Sequence, residues 1–422
     1  MMDRRSFLKD AGLAAAVAGA APGVAKAQTS AVGSGGAYDV AVVGAGAFGG
    51  WIALVLRERG LKVISIDEYG PASPRASSAG ETRSIRSGYG PQAIYSSWAA
   101  TALKMWKLRQ AEFGRTILYP NDRIELAQNW SPAMLAQRKI FDDLKIPYEV
   151  LDQAALRVRY PQMSFDDVDF AFIEKSSAAV IKARESMILV SEVFQKKGGT
   201  FRIARALPGE AVGRHMTSLK LNDGSSIAAG QVVFACGPWS AKMFPALMGR
   251  KVDVYRSEYY YWGVPAGDDR FSWPRQPAWH DHVVGGYGFG SIERGLKYSP
   301  AALGRVAQDP DTAERLATDY LLKRGRDYIG HRFPDMRDAP ILETRVCQIE
   351  ATADDHFVID THPDFDNVWL ASGGGGHGFK HGPLVGEYVS DRLMGRPTDP
   401  ETDRLFRRAS RPDLQPTGAG AA

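Results

Sequence analysis

Residues 346 to 383 gather the side chains in this chain that are best suited to chemistry. Cys347, one of two cysteines among 422 residues, lies upstream of a strand-like run from Phe357 to Asp360. A second apolar run, Val368 to Ala371, leads into four consecutive glycines, Gly373 to Gly376, and then to His377 and Lys380. Successive glycines let the backbone take positive φ and come close to a flat ligand. A cation just past such a loop can hold an anionic group against that ligand. Taken alone, the segment reads more simply as a flexible surface loop carrying a lysine. Its meaning depends on what the rest of the chain places beside it.

The elements that would position a flat ligand begin at Tyr38. Tyr38 to Val43 is a short apolar run suited to a buried parallel strand. It feeds Gly44-Ala45-Gly46-Ala47-Phe48-Gly49, a helical stretch follows to Arg59, and the next strand, Lys62 to Ile66, ends at Asp67. Strand, GxGxxG, helix, strand and acid in this order form the dinucleotide fingerprint. Gly44, Gly46 and Gly49 permit the tight turn and bring a pyrophosphate to the helix N-terminus, whose free N–H groups and dipole favour an anion. Asp67 can accept hydrogen bonds from a ribose 2′-hydroxyl, which disfavours a 2′-phosphorylated cofactor. The fingerprint by itself leaves FAD and NAD both open.

From Ser77 to Gly90 the chain reads SSAGETRSIRSGYG, small and polar, with Arg83 and Arg86 three residues apart. Read as a helical turn, that spacing puts both guanidinium groups on one side. Their planar forks match a carboxylate, although a solvated arginine pair is the plainer alternative. The histidines lack metal-ligand spacing. His280 and His282 stand two apart, usable on one strand face, but no third ligand accompanies them in sequence, and no metal is expected.

At the amino end, Asp3-Arg4-Arg5-Ser6-Phe7-Leu8-Lys9 is a twin-arginine pattern, followed by an apolar stretch from Ala11 to Ala21 and an Ala25-Lys26-Ala27 cleavage site. The apolar run is too short to span a membrane and ends at Pro22, so residues 1–27 read as a cleaved export signal rather than an anchor. Twin-arginine export handles folded chains, which suits one that takes up a cofactor first. A periplasmic or secreted location follows. The signal carries four Lys/Arg and two Asp/Glu, so the formal charge of +4 falls to +2 once it is removed. No basic block suggests nucleic acid, and no second hydrophobic span suggests a membrane anchor. Cys236 and Cys347 could form one disulfide in an exported chain, but two cysteines are too few for a disulfide framework.

Taken in order, GAGAFGG, Asp67, SSAGETRSIRSGYG, VVFACGPWS (Val232 to Ser240), GLKY (Gly295 to Tyr298), the Cys347 segment with DDHFVID, and GGGGHGFK resemble the monomeric sarcosine oxidase group of the D-amino acid oxidase flavoprotein superfamily. The similarity spans nearly the whole chain after residue 27, and the Cys347 and GHGFK blocks are far more specific than the fingerprint. It implies an α/β fold: an FAD-binding Rossmann-type domain of the glutathione-reductase kind and a second, mixed β-sheet substrate domain. Residues 38–120, 175–250 and 335–396 fall to the first and 121–174 and 251–334 to the second. A tail follows from 397 to 422, its last dozen residues disordered by composition. The strand-like Lys251 to Gly263, rich in Tyr and Trp, fits the second sheet.

The resemblance also implies residue roles. Cys347 would carry the FAD covalently through a thioether, and Lys297 would stand where oxygen is activated. Arg86 and Lys380 would bind the substrate carboxylate. Thr82 and Arg83 would lie near the flavin ring, with Gly376 and His377 lining the same region. Singly, each has a duller reading: Cys347 as a buried thiol, Lys297 as a surface charge, Cys236 as an ordinary core residue. The implied activity is oxidation of a C–N bond in a secondary or N-substituted amino acid. Hydride transfer to flavin N5 leaves an imine, and O2 reoxidises the flavin to give hydrogen peroxide, in a monomeric enzyme. Competing readings are a flavin dehydrogenase passing electrons to a periplasmic acceptor, a primary amino acid oxidase, an NAD-dependent dehydrogenase and a flavin-loaded binding protein. Three positions depart from the group. Ala79 and Ala301 stand where it has histidines, and Ile349 stands where it has a tyrosine. These changes point to a roomier, greasier pocket and to a larger N-alkyl, cyclic or aromatic amino acid in place of sarcosine.

Overall fold

The computed structural model describes residues 38–301 and 307–414; the twin-arginine segment and the last eight residues lie outside the described residues. Val40 and Val42 of the first strand, Tyr38–Val43, pack into one core, and Ala41 and Val43 pack into another on the opposite face. A strand buried on both faces belongs in the middle of a parallel sheet. It lies there, between Ser226–Phe234 and Val63–Asp67, and pairs in parallel with both. The row continues to Thr200–Ile203 on one side and to Val368–Ser372 and Val358–Thr361 on the other. Helices Ala47–Glu58 and Gly382–Leu393 supply Trp51, Ile52, Val385 and Val389 to the core on the first face.

The second sheet is mixed, with nine strands. Its backbone runs Ile341–Ala351, Asp253–Trp262, Leu296–Ser299, Tyr287–Phe289, Ala278–Asp281, Leu118–Ala127, Phe170–Lys182 and Thr82–Ile85. All neighbours are antiparallel except Ala278–Asp281 with Leu118–Ala127. Helix Asp319–Arg332 covers one face, where Tyr328 and Ile329 meet Tyr260, Trp262 and Trp279. The expected α/β architecture of a Rossmann-type sheet with a second mixed sheet is what the chain adopts.

Three local readings differ from the structure. Thr82–Ile85 is a strand, paired antiparallel with Phe170–Lys182, so Arg83 and Arg86 do not share a helical turn. Both Thr82–Ile85 and Ile341–Ala351 join the second sheet, although their segments were assigned to the nucleotide domain. The tail folds further than its composition suggests. Asp399 accepts from Thr402 N at 3.0 Å, Pro400 opens the helix Pro400–Phe406, and Phe406 is fully buried against Tyr95, Trp98 and Phe357. Even Arg411, among the last dozen residues, is buried and pairs with Asp354 at 2.9 Å.

Candidate active site

Two cavities meet beneath the second sheet. The first, of about 350 Å³, runs from Gly44, Gly46 and Asp67 to Cys347 and Ile349. Gly44 sits at φ +107°, and a Cβ there would fall 2.2 Å from the Ala235 carbonyl oxygen, so the fingerprint loop is pressed onto the neighbouring strand end. Helix Ala47–Glu58 has no side-chain cap and no acid in its first turn, which leaves its N–H groups for an anion. Asp67 lines the cavity and organises it, accepting from Ala45 N at 2.7 Å and from Tyr69 N and Gly70 N at 2.9 Å.

The residues present fit a dinucleotide of FAD type. Ser77 Oγ, Ser78 Oγ and Glu350 Oε2 line this cavity, buried and without a hydrogen-bond partner, as groups awaiting a polar ligand are. Burial raises the Glu350 pKa to about 7 against the N–H groups of Gly374 and Gly373, so its carboxyl can offer a proton. Glu350 was not singled out from sequence; its place, three residues after Cys347 in the same strand, is the signal that was available. The glycine loop does close in on the cavity: Gly373 and Gly375 take φ of +74° and +57°, and Gly374, Gly375 and Gly376 line it.

Cys347 lies on the edge strand opposite Ser257, its Sγ 3.3 Å from Arg83 Nη2 and 3.5 Å from the Ser77 carbonyl oxygen. Neither it nor Cys236 is in a disulfide. Cys236 also lines the cavity, at the end of Ser226–Phe234, and is more than a core filler. Burial pushes its thiol pKa up, and the nearby Glu350 and Asp67 carboxylates push it further.

The second cavity is larger, about 610 Å³, and holds Arg86, Tyr89, His377 and Lys380. It shares Arg83, Ser257, Tyr287, Ile349, Gly376 and Phe379 with the first, so those six residues bound the place where the two ligands would touch. Lys380 Nζ donates to Tyr89 OH at 2.9 Å and to the His377 carbonyl at 3.1 Å, and Tyr89 OH donates on to His381 Nε2 at 2.8 Å. The Arg86 guanidinium lies 4.4 Å over the Tyr89 ring and donates to the Gly88 carbonyl. Among the described residues the partners of both cations are hydroxyl and carbonyl oxygens, not carboxylates. Burial and then the Arg86 charge hold the Lys380 pKa well below the usual lysine value; burial and then Arg123 lower that of Arg86. Buried Lys380 and half-buried Arg86, with Glu125 and Glu174 acting on them through space rather than by ion pairing, form a site that an incoming carboxylate stabilises. Tyr89, which joins them, was missed although it stands in the same SGYG stretch.

His377 lines this larger cavity and not the nucleotide cavity. Its ring stacks on Phe357, Nε2 donates to the Asp355 carbonyl at 2.8 Å, and burial with the Lys380 charge lowers its pKa to about 3. Lys297 lies opposite Tyr261 and is buried; Nζ donates to the Thr82 carbonyl at 3.0 Å and faces the rings of Tyr259 at 4.1 Å and Phe289 at 4.9 Å. It opens on a small cavity of about 160 Å³ that it shares with Thr82 and Tyr261. Thr82 therefore meets Lys297 through its backbone, its hydroxyl being 3.1 Å from Tyr261 OH. Of the three departures, Ile349 and Ala301 line the larger cavity. The cavity is roomy and mixed in character: Met134, Trp279, Phe289, Pro300 and Ile349 line it together with the polar Arg123, Glu125, Gln137, His280 and His282.

A cavity lined by the fingerprint loop and a thiol, adjoining a chamber that holds Arg86 and Lys380, suits a flavin-dependent oxidoreductase. Residues 39–392 match the DAO family, described as FAD dependent oxidoreductase, and the chain belongs to that family. It is 26% identical over 363 residues to a monomeric sarcosine oxidase of Streptomyces avermitilis, covering 85% of this chain and 94% of that one. An N-methyl-L-tryptophan oxidase of Yersinia pestis is 24% identical over 371 residues, covering 86% and 96%. The fold is shared with L-proline dehydrogenase from P. horikoshii at a TM-score of 0.76 and 18% identity, over 87% of this chain and 96% of that one. The chain is thus an FAD-dependent oxidoreductase acting on CH–NH donors.

The Gly44 geometry carries a direct expectation. Gly44→Ala loses FAD and is destabilised by more than about 1 kcal/mol, because the native φ is incompatible with a side chain. Flavin absorbance per protein after gel filtration, with a melting curve beside it, measures both.

Proposed function

We propose that the enzyme is an oxidase of an N-substituted amino acid whose carboxylate is held by Arg86 and Lys380. The observation that carries this reading is a pair of cations, Lys380 buried and Arg86 half-buried, that share a cavity adjoining the nucleotide cavity and find hydroxyl and carbonyl oxygens rather than a carboxylate as hydrogen-bond partners. FAD, held by the fingerprint loop, Glu350 and Cys347, supplies the acceptor for a hydride from the carbon next to nitrogen. The protein's own part is binding and orientation. With the carboxylate fixed by Arg86 and Lys380, the C–N bond is directed to the wall shared by Arg83, Tyr287 and Ile349. Arg83, Arg86 and Lys380 together disfavour a second positive charge, so the bound substrate is held as the neutral amine with its lone pair free. The product imine is released to hydrolyse, and dioxygen taking the electrons leaves as hydrogen peroxide. The volume of the chamber, with Ile349 and Ala301 on its walls, supports a substrate larger than sarcosine, and its polar residues support one with a polar end. Residues 1–27 support export by the twin-arginine route and a place of action outside the cytoplasm; the described residues contain no helix long and apolar enough to cross a membrane.

A turnover screen of N-methyl, N-alkyl and cyclic amino acids, read by peroxide formation, tests the reading. Lys380→Met and Arg86→Ala each lower kcat/KM for the best substrate by roughly 30-fold or more, the cost of stranding one partner of a buried charge pair at about 2–5 kcal/mol. Decarboxylated analogues lose the same amount on the unaltered enzyme and nothing further on the variants. Equal turnover of an amino acid and its decarboxylated amine by the unaltered enzyme would overturn the assignment. Affinity for the carboxylate also weakens as pH rises, since Lys380 loses its charge below the ordinary lysine range.

A further inference from the structure

We infer that Glu125, His280 and His282 form a binding site for one divalent transition-metal ion, Zn²⁺ being the ion their ligand set suits best, on the far wall of the larger cavity. The parallel pairing of Ala278–Asp281 with Leu118–Ala127 sets His280 directly beside Glu125. His282 follows two residues on, and its N–H donates to the Leu126 carbonyl at 2.9 Å, so the strand alternation returns it to the same face. The third ligand absent from the local sequence is therefore supplied by a strand more than 150 residues earlier, as the Glu125–His282 separation of 157 makes plain.

His280 Nδ1 stands 3.1 Å from His282 Nε2, which stands 3.0 Å from Glu125 Oε2. The three ligand atoms lie within 4.8 Å of one another. Protons alone do not satisfy this arrangement. If His282 Nε2 carries a hydrogen, that hydrogen can be aimed at only one of His280 Nδ1 and Glu125 Oε2, and the other acceptor is left without a donor in the cluster. If His282 Nε2 is bare, it accepts from His280 and faces the carboxylate lone pair. A cation at about 2.0–2.2 Å from each atom satisfies all three at once, at ligand separations near 3.3 Å. That is a few tenths of an ångström wider than the contacts present.

The surroundings orient the carboxylate for this role. Arg123 and Gln137 both donate to Oε1, leaving Oε2 turned to the histidines. Outer partners of this kind are what hold a ligating carboxylate in place. Two histidines and one glutamate with a position open to the cavity form the three-ligand set that zinc accepts when a fourth, exchangeable ligand completes the tetrahedron. Arg123 offsets the Glu125 charge, and Arg86 lies in the same chamber, so the ion brings an anion as that fourth ligand: hydroxide, chloride or a donor at the polar end of a substrate. The inference goes beyond the oxidase reading and does not depend on it.

The test uses the flavin-loaded protein, stripped with a chelator and desalted, titrated with ZnCl2 by calorimetry. One ion binds per chain, and His280→Ala and His282→Ala each weaken it by at least about 100-fold, more than the loss of an outer partner costs. Glu125→Gln, which keeps the shape, gives an intermediate loss. In the Cu²⁺-loaded protein, electron paramagnetic resonance reports two imidazole nitrogens, and one in His282→Ala. Flavin absorbance confirms that each variant is folded, and the resonance signature of the unaltered protein stands even if a variant is not. Absence of stoichiometric binding, or affinity unchanged in both histidine variants, overturns the site and leaves the cluster as a polar wall for substrate.

Discussion

Lys297→Met slows reoxidation of the reduced enzyme by dioxygen by about 10²- to 10³-fold, the usual cost of removing one well-placed electrostatic stabiliser. Anaerobic reduction by substrate changes only a few-fold in the same variant, and stopped-flow absorbance separates the two steps. Nζ is buried against the Tyr259 and Phe289 rings and held by the Thr82 carbonyl, so water screens it poorly and its field at a neighbouring small cavity is strong. Dioxygen gains negative charge as it takes electrons, and a fixed cation lowers the energy of that change. Burial and then the Arg83 charge hold the Lys297 pKa well below its ordinary value of 10.5. The protonated form is the effective one, so reoxidation is fastest at low pH and declines as pH rises through that depressed pKa, in a window below 10.5. The methionine variant shows no such decline. An unaltered enzyme that meets dioxygen slowly at every pH, and a variant no slower, would instead favour a dehydrogenase with another acceptor.

How much of this was readable beforehand depends on the range of the interactions involved. The fingerprint is local: Gly44, the uncapped helix and Asp67 are contiguous enough that spacing alone conveys their arrangement. The spacing of Arg83 and Arg86 misleads because it suits a helical turn, whereas pairing of Thr82–Ile85 with Phe170–Lys182, about a hundred residues on, makes the stretch a strand. The consequence is functional. Arg83 reaches Cys347, while Arg86 lies over Tyr89 beside Lys380. The polar part of the larger chamber is out of reach for the same reason: three substituted positions speak only for apolar lining, whereas Glu125 and His280 come together only once Leu118–Ala127 pairs with Ala278–Asp281. Phe406 was hidden in a tail of polar composition because a single buried aromatic anchors the short helix that carries it.

Cys347→Ala abolishes covalent attachment of the flavin: acid-precipitated unaltered protein keeps its yellow colour in the pellet, and the variant's pellet is colourless. Two cysteines line the cofactor cavity, so the choice between them has to be argued from their surroundings. Cys236 has the Glu350 and Asp67 carboxylates as its charged neighbours, and burial with those charges pushes its thiol pKa up. A thiol kept protonated is a poor nucleophile. Cys347 has the Arg83 guanidinium 3.3 Å from its sulfur, a cation at hand where negative charge must form for the bond to be made. That guanidinium keeps its charge, since arginine is not deprotonated in proteins. Cys347 also lies beside the residues common to both cavities, Arg83, Ser257 and Ile349, whereas Cys236 adjoins the fingerprint glycine Gly44. Cys236→Ala therefore keeps the colour in the pellet. Arg83→Met, with Cys347 intact, attaches flavin slowly and incompletely during reconstitution of the apoprotein, and the time course of pellet absorbance measures it. Colour washing out of the unaltered protein would remove the tether while leaving the carboxylate site untouched, because Arg86 and Lys380 are held by Gly88, Tyr89 and His377 and do not contact Cys347.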